Sequence, residues 1–141
     1  MGFTMRWRGD DRGSVLLLTI GYAVLVLVAV LVCVDATSLY LAQKRLDSLA
    51  DAAALAGADG FSLEVVDGSP VATLHADEVR LQADGVVAAI GGGAVLVTAD
   101  APDGVSARVT VAGTWHPPVL TLLVPEGVAL EATATSRTAL R

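Results

Sequence analysis

Residues 14–34, SVLLLTIGYAVLVLVAVLVCV, decide how the rest of the chain has to be arranged. This stretch is 21 residues long and contains no charged residue and no proline. At a helical rise of about 1.5 Å per residue it extends over roughly 30 Å, the hydrocarbon thickness of a bilayer. A soluble helix that is apolar all round would need covering on every side, and a chain of 141 residues is too small for that. The stretch therefore predicts a membrane-spanning helix.

The charges on the two sides of this span predict its orientation. Residues 1–13 contain three Arg and two Asp, whereas residues 35–141 contain six Lys or Arg and thirteen Asp or Glu. Because short Arg-rich flanks resist translocation, we expect 1–13 to be a cytoplasmic segment and the bulk of the chain to lie outside the plasma membrane. The acidic balance argues against nucleic acid as a partner, since binding to nucleic acid requires a basic surface.

Two cleaved forms are alternatives to an intact anchor. A basic start followed by an apolar run also describes a secretory signal peptide, but this run is about twice the usual length and no clear cleavage site follows it. Lipid attachment at Cys33, the single cysteine, would require a small residue before it, where the chain has Val32. With one cysteine, the exported part must also fold without an intramolecular disulfide.

The helical pattern continues beyond the span, through residues 35–58. No Gly or Pro interrupts it before Gly57, and most of its residues are good helix formers. We predict one continuous helix of roughly 45 residues that ends at Gly57 and Gly60. Apolar residues recur along it at spacings of three and four, which forms a heptad seam. The outer half also has an alanine-rich face that packs on neighbouring helices, covers the chain's own sheet, or does both on different sides. This face consists of Ala50, Ala52, Ala53, Ala54 and Ala56. The predicted helix-packing interface consists of Leu39, Ala42, Leu46, Leu49, Ala53 and Ala56.

Residues 61–141 predict a small α+β domain. An amphipathic helix capped by Asp77 is expected to run to about Ile90. Its predicted apolar stripe consists of Val79, Ala83, Val86, Val87 and Ile90. The alternating segment 105–115, directly after Asp103-Gly104, predicts a hairpin with the segment before the turn. VLTLLVP, at residues 119–125, is an apolar segment expected to be exposed. The predicted strands are 61–66 and 71–76, around a turn at 67–70, then 94–100, 105–115 and 128–140. The expected fold class is thus α+β and pilin-like, with a long N-terminal helix followed by a small antiparallel sheet and one further helix.

The sequence contains no pattern typical of a catalytic, cofactor or metal site. His75 and His116 are isolated and have no Cys or HExxH-type partner. The acidic residues lack the spacing of a calcium loop. We therefore expect no enzymatic activity and no cofactor.

Asp35, at the exit of the span, is interpreted as marking the water interface, with pairing to a Lys or Arg of a neighbouring helix as the alternative.

The N-terminal third, about residues 11–60, resembles the TadE/TadG-like proteins of bacterial Flp (tight-adherence) pilus systems. The most specific block is DAAALAGA at residues 51–58. The other matching residues are Asp11-Arg12-Gly13-Ser14, the uncharged span, Val34-Asp35, Leu39-Tyr40-Leu41-Ala42 and Arg45-Leu46. The resemblance implies a bitopic inner-membrane protein that acts as a minor pilin or assembly component. Flp-type pilins carry a glutamate five residues into the mature helix, where this chain has Leu18, so the TadG-like type that stays anchored whole is the closer match.

The sequence as a whole predicts a membrane-anchored structural component, minor pilin-like or an assembly protein, of an Flp-type pilus or related secretion apparatus. Its expected partners are the membrane, other pilin-like or TadE/TadG-like proteins and pilus-assembly components. The alternative is an anchored extracytoplasmic binding module, or a secreted protein or lipoprotein, with no role in a pilus.

Overall fold

The computed structural model describes residues 11–137, with side chains from residue 13 onward. The predicted segment 1–13 therefore lies mostly outside the described residues, as does the end of the last predicted strand. The fold class is α+β, as predicted, with a long N-terminal helix, small antiparallel sheets and one further helix. In chain order the elements are α1 (Asp11–Asp59), β1 (Ser62–Val66), β2 (Ser69–Thr73), α2 (Ala76–Ile90), β3 (Val95–Asp100), β4 (Ser106–Trp115) and β5 (Val128–Arg137).

Helix α1 runs without a break through the apolar span and residues 35–58. It contains 49 residues, which corresponds to a length of about 70 Å. The prediction that Gly57 ends this helix was wrong, because α1 continues to Asp59. A Cβ atom on Gly57 would lie 2.8 Å from Cγ1 of Val79 in α2. Gly57 is thus required for the close approach of α1 and α2. Of the two glycines predicted to end the helix, Gly60 is the one that lies directly after it.

The strands form two separate sheets instead of the single predicted sheet. Strands β3, β4 and β5 make a three-stranded antiparallel sheet with β4 in the centre, and β1 and β2 make a two-stranded hairpin. The hairpin turn consists of Asp67 and Gly68, whose φ angles are 50° and 80°. Positive φ at both positions is typical of the two-residue type I′ turn, whose twist matches the strands. Ser69 and Pro70, predicted as turn residues, consequently belong to β2.

Helix α2 begins two residues earlier than predicted, at Ala76. His75 is its N-cap residue and makes no side-chain capping hydrogen bond. Asp77, which we expected to be the cap, lies in the first turn with Glu78, where negative charge is favourable next to the positive end of the helix dipole. The predicted apolar stripe is largely confirmed. Its members Val79, Ala83 and Val87 are buried, Val86 is half-buried, and Ile90 is exposed.

The core lies between the helices and one face of the three-stranded sheet. The outer half of α1 packs on β4, β5 and α2, and α2 also packs on β3. The largest fully buried side chains are only Val79, Val109 and Val111. From α1 the core receives mainly alanines, namely Ala50, Ala53, Ala54 and Ala58. Small side chains let the backbones approach closely, so this core depends on tight packing of helix against sheet.

Candidate interaction surfaces of the long helix

The first half of α1 is exposed on all sides within the described chain. Every residue from 13 to 30 is exposed, including large side chains such as Leu18 and Leu25 at 74% and 63% of their full area. Among the described residues, α1 is the one helix long and apolar enough to cross a membrane, and it lies near the N-terminus. This arrangement fits a single-pass membrane protein, in which lipid covers the side chains that the protein leaves bare.

The heptad seam of the outer half packs on the chain's own domain. Leu46, Leu49 and Ala53 are buried members of the core, and a Cβ on Gly113 of β4 would lie 3.5 Å from Cδ1 of Leu46. The other predicted interface residues, Leu39, Ala42 and Ala56, are half-buried. The alanine-rich face overlaps the seam at Ala53 and Ala56, and its members Ala50 and Ala54 are also buried in the core. Of the two uses left open for that face, the structure thus shows it covering the chain's own sheet and α2. Contact of the seam with a partner stays a hypothesis.

Asp35 belongs to the same face of α1, four residues before Leu39. Its side chain is 6% exposed, and its Oδ1 atom accepts a hydrogen bond of 3.1 Å from the backbone N–H of Val119. One turn later, Ser38 accepts a bond of 3.1 Å from Nε1 of Trp115. Within the described residues Asp35 therefore holds a loop of its own domain and does more than mark the water interface. The register of the seam predicts that Asp35 lies on the same face of α1 as the seam residues. No local sequence pattern indicates its hydrogen bond with Val119, which is 84 residues away.

The opposite face of the outer half remains open to solvent. Tyr40, Leu41 and Leu55 are between 50% and 62% exposed. Lys44 forms an ion pair with Asp47 at 3.2 Å and lies 5.9 Å from the centre of the Tyr40 ring. This mixed apolar and charged face is the part of the outer helix available to a partner.

A polar cluster on α1 joins this face to the sheet. Nε2 of Gln43 donates hydrogen bonds to Oδ1 of Asp47 at 3.0 Å and to the carbonyl oxygen of Glu131 in β5 at 3.1 Å. The bond from Gln43, followed by the bond and charge of Lys44, lowers the pKa of Asp47 below its ordinary value. Asp47 is thus ionised near neutral pH, and the cluster helps to fix β5 on the helix.

An open groove runs along α1 beside the end of β4. Val30 and Val34 of the span line one end of it, and Leu41, Arg45 and Trp115 line the other. Its surface is mainly apolar and continuous with the span. Such a surface suits an apolar helix or lipid chains better than a polar small molecule.

The chemistry-bearing side chains do not converge on a site in the described part of the chain. No group of three or more His, Cys, Asp or Glu residues between 13 and 137 is placed to hold a metal ion. Nδ1 of His75 lies 3.4 Å from Oγ of Ser62 and 3.7 Å from Oε2 of Glu78, on an exposed edge. His116 is also exposed. The expectation that the protein has no cofactor and no enzymatic activity stays a prediction.

Comparison with known proteins bears on the long helix alone. Residues 13–60 match the family model described as "Putative Flp pilus-assembly TadE/G-like". No curated protein and no solved structure matches the chain. The matched segment contains both the exposed span and the outer half of α1, and it stops one residue after the helix does.

Proposed function

We propose that this chain, whose residues 13–60 are TadE/TadG-like, is a minor pilin-like or assembly component of a bacterial Flp-type pilus or related secretion apparatus. The proposal rests on one observation: the segment that matches the family, residues 13–60, covers nearly the same residues as α1. The family match itself supports a pilus-assembly related component, and α1 is a possible membrane-spanning helix. The role is structural, in keeping with a family of assembly proteins, and the TadG-like type is the closer relative because Leu18 stands where Flp pilins carry glutamate.

The proposed topology has four parts. Residues 1–13 are cytoplasmic, 14–34 cross the plasma membrane, 35–58 continue the helix outside, and 61–141 form the extracytoplasmic domain. The charge distribution supports this orientation, since the Arg residues of 1–13 precede the span and most of the acidic residues follow it. The chain would then be a single-pass protein with its N-terminus inside.

Partners reach the helix at two places in this proposal. Within the bilayer, side chains are exposed all round the span, so pilin-like helices can pack on it through van der Waals contacts. Outside the bilayer, the domain covers the seam at Leu46, Leu49 and Ala53, which leaves the open face around Tyr40 and Leu55. Because α1 is one continuous helix and its outer half packs on the domain, a contact at either place also fixes the position of the domain.

Site-specific photocrosslinking in cells that carry the complete pilus system tests the proposal. A photoreactive amino acid is placed at Leu25 in the span or at Leu55 on the open face, both of which are exposed. A third position, Asp84 on the exposed side of α2, serves as the control. We expect adducts with pilin-like or assembly proteins from Leu25 and Leu55 that disappear when the pilus genes are deleted. Adducts that are unchanged by the deletion, or only with unrelated proteins, would contradict it.

A further inference from the structure

The connection between β4 and β5 lies at the end of the domain nearest the span. Three hydrogen bonds of 3.1 Å join α1 to the domain, and they follow one order along the helix. As the helix is followed toward the span, its partners move from β5, to the end of β4, to the connection between these strands. The three pairs, in that order, are Gln43 with Glu131, Ser38 with Trp115, and Asp35 with Val119.

The connection is apolar and turned outward. Residues 117–125, PPVLTLLVP, here called the apolar loop, contain no charged residue. Leu122 and Leu123 are 96% and 76% exposed. Pro117, in contrast, is buried, and Leu120 and Val124 are half-buried. The loop is therefore anchored on one side and presents two leucines, which water does not favour, on the other.

Part of the backbone of the apolar loop is hydrogen-bonded within the protein. Asp35 accepts the N–H of Val119, and the carbonyl oxygen of Leu120 accepts the N–H groups of Leu123 and Val124 at 2.9 and 3.0 Å. The hydroxyl of Thr121 donates to the carbonyl oxygen of Pro117. A segment that enters lipid must pair its backbone groups internally, because the bilayer core offers no water to bind them. The apolar loop meets this condition for the N–H groups of Val119, Leu123 and Val124.

We infer that the apolar loop inserts Leu122 and Leu123 into the outer face of the same bilayer that the span crosses. This inference rests on the proposed membrane anchor. The occupant of the surface is lipid, because Val119 is bonded to Asp35, the residue that directly follows the uncharged span, and the leucines therefore lie where the membrane surface must be. The domain then contacts the membrane at a second point, which fixes the tilt and rotation of α1 in the bilayer.

An environment-sensitive fluorophore on a single cysteine tests the contact. The full chain, with Cys33→Ala to remove the native thiol, is reconstituted into phosphatidylcholine–phosphatidylglycerol vesicles and labelled with nitrobenzoxadiazole at Leu122→Cys. The matched control is Leu63→Cys in β1, also an exposed leucine, at 63%. Strand β1 follows the far end of α1, which is about 36 Å from Asp35 along the helix axis. Flotation of the vesicles checks anchoring separately.

We expect the Leu122→Cys probe to emit at shorter wavelength than the Leu63→Cys probe. We also expect spin-labelled lipids to quench it several-fold more strongly. Equal emission and equal quenching at the two positions, in a chain that floats with the vesicles, would overturn the inference and leave the anchor intact. Short-wavelength emission without quenching by lipid would also overturn it, because another protein copy would then be covering the loop. A chain that does not float would overturn the membrane anchor and this inference together.

Discussion

The two halves of α1 are both helical and rich in apolar residues, yet they are covered in opposite ways. In the span, large side chains such as Leu17 and Leu18 are 75% and 74% exposed. In the outer half, small side chains such as Ala50 and Ala53 are fully buried against the sheet and α2. A water-soluble protein would bury the larger side chains first, because they gain more free energy from leaving water. The exposed large side chains of the first half therefore fit a lipid environment, whereas the second half is covered by its own chain.

Apolar composition alone does not distinguish the two halves of α1. The mean hydropathy of the whole chain, +0.65, does not distinguish the apolar residues that the protein leaves exposed from the apolar residues that the domain covers. The contacts of α1 make the distinction, since the domain begins to cover the helix near Asp35. Substitutions in the two halves should consequently fail in different ways, one by loss of membrane insertion and the other by unfolding of the domain.

The largest effect is expected from charges in the span. Leu25→Arg together with Val28→Arg should cost about 5–7 kcal/mol of insertion free energy, at about 2.5–3.5 kcal/mol for each central arginine. The protein should leave the alkali-washed membrane fraction. The control, Leu25→Ala with Val28→Ala, should stay there. Retention of the arginine variant in the membrane would show that the span is not the anchor.

A charge in the buried seam should unfold the domain and leave the anchor in place. Ala53 is fully buried, and an unpaired buried charge costs about 3–5 kcal/mol, a large part of the total stability of a small domain. Ala53→Arg should stay in the membrane but become sensitive to protease. Leu55→Arg, on the open face, should remain resistant. A resistant Ala53→Arg variant that loses only its partners would mean that the seam faces another protein.

Two glycine-to-alanine changes should shift the stability in opposite directions. At Gly57, alanine improves helix propensity by about 1 kcal/mol, but its Cβ would meet Val79 at 2.8 Å, and such overpacking costs roughly 1–3 kcal/mol. Gly57→Ala should therefore lower the thermal midpoint in detergent micelles. Gly85→Ala, where nothing lies within 4 Å, should raise it by a few degrees. Stabilisation by both changes would contradict the close contact of α1 and α2.

The smallest effect is expected at Asp103, in the turn between β3 and β4. The hydroxyl of Ser106 and the N–H of Val105, with a contribution from Arg137, lower the pKa of Asp103 below 3.8. The stabilisation from this carboxylate is present above 3.8 and is lost as the pH falls through the lower folded-state pKa. Denaturation of wild type and Asp103→Asn between about pH 5 and pH 2 measures it. We expect the difference in unfolding free energy between wild type and Asp103→Asn to become smaller as the pH falls. A difference that does not change with pH would contradict a stabilising role of the Asp103 carboxylate.

Local patterns in the sequence predict much of this fold. The continuous helix, the buried stripe of α2 and the hairpin at Asp103-Gly104 each depend on residues close together in the chain. Periodicity reports such features directly. The resemblance to TadE/TadG-like proteins is local for the same reason, because all but the last residue of the matched segment lie on α1.

The features that the sequence did not indicate depend on contacts between distant segments. The bond from Val119 to Asp35 joins residues that are 84 positions apart. Gly57 looked like a helix end because its close contact with Val79 of α2 is invisible in a local pattern. The same holds for the seam, whose register is equally compatible with a partner helix and with the chain's own sheet.

Accessibility of the two halves of α1 in cells tests most directly whether one helix lies in two environments. Single cysteines at Val24→Cys in the span and Leu55→Cys on the open face, each with Cys33→Ala, are treated with a membrane-impermeant maleimide in spheroplasts. Both side chains are exposed in the structure, at 54% and 57%, so the protein itself protects neither. The account predicts rapid labelling at Leu55→Cys and none at Val24→Cys until the membrane is dissolved. Equal labelling at both positions, or labelling of Leu55→Cys only after permeabilisation, would contradict it.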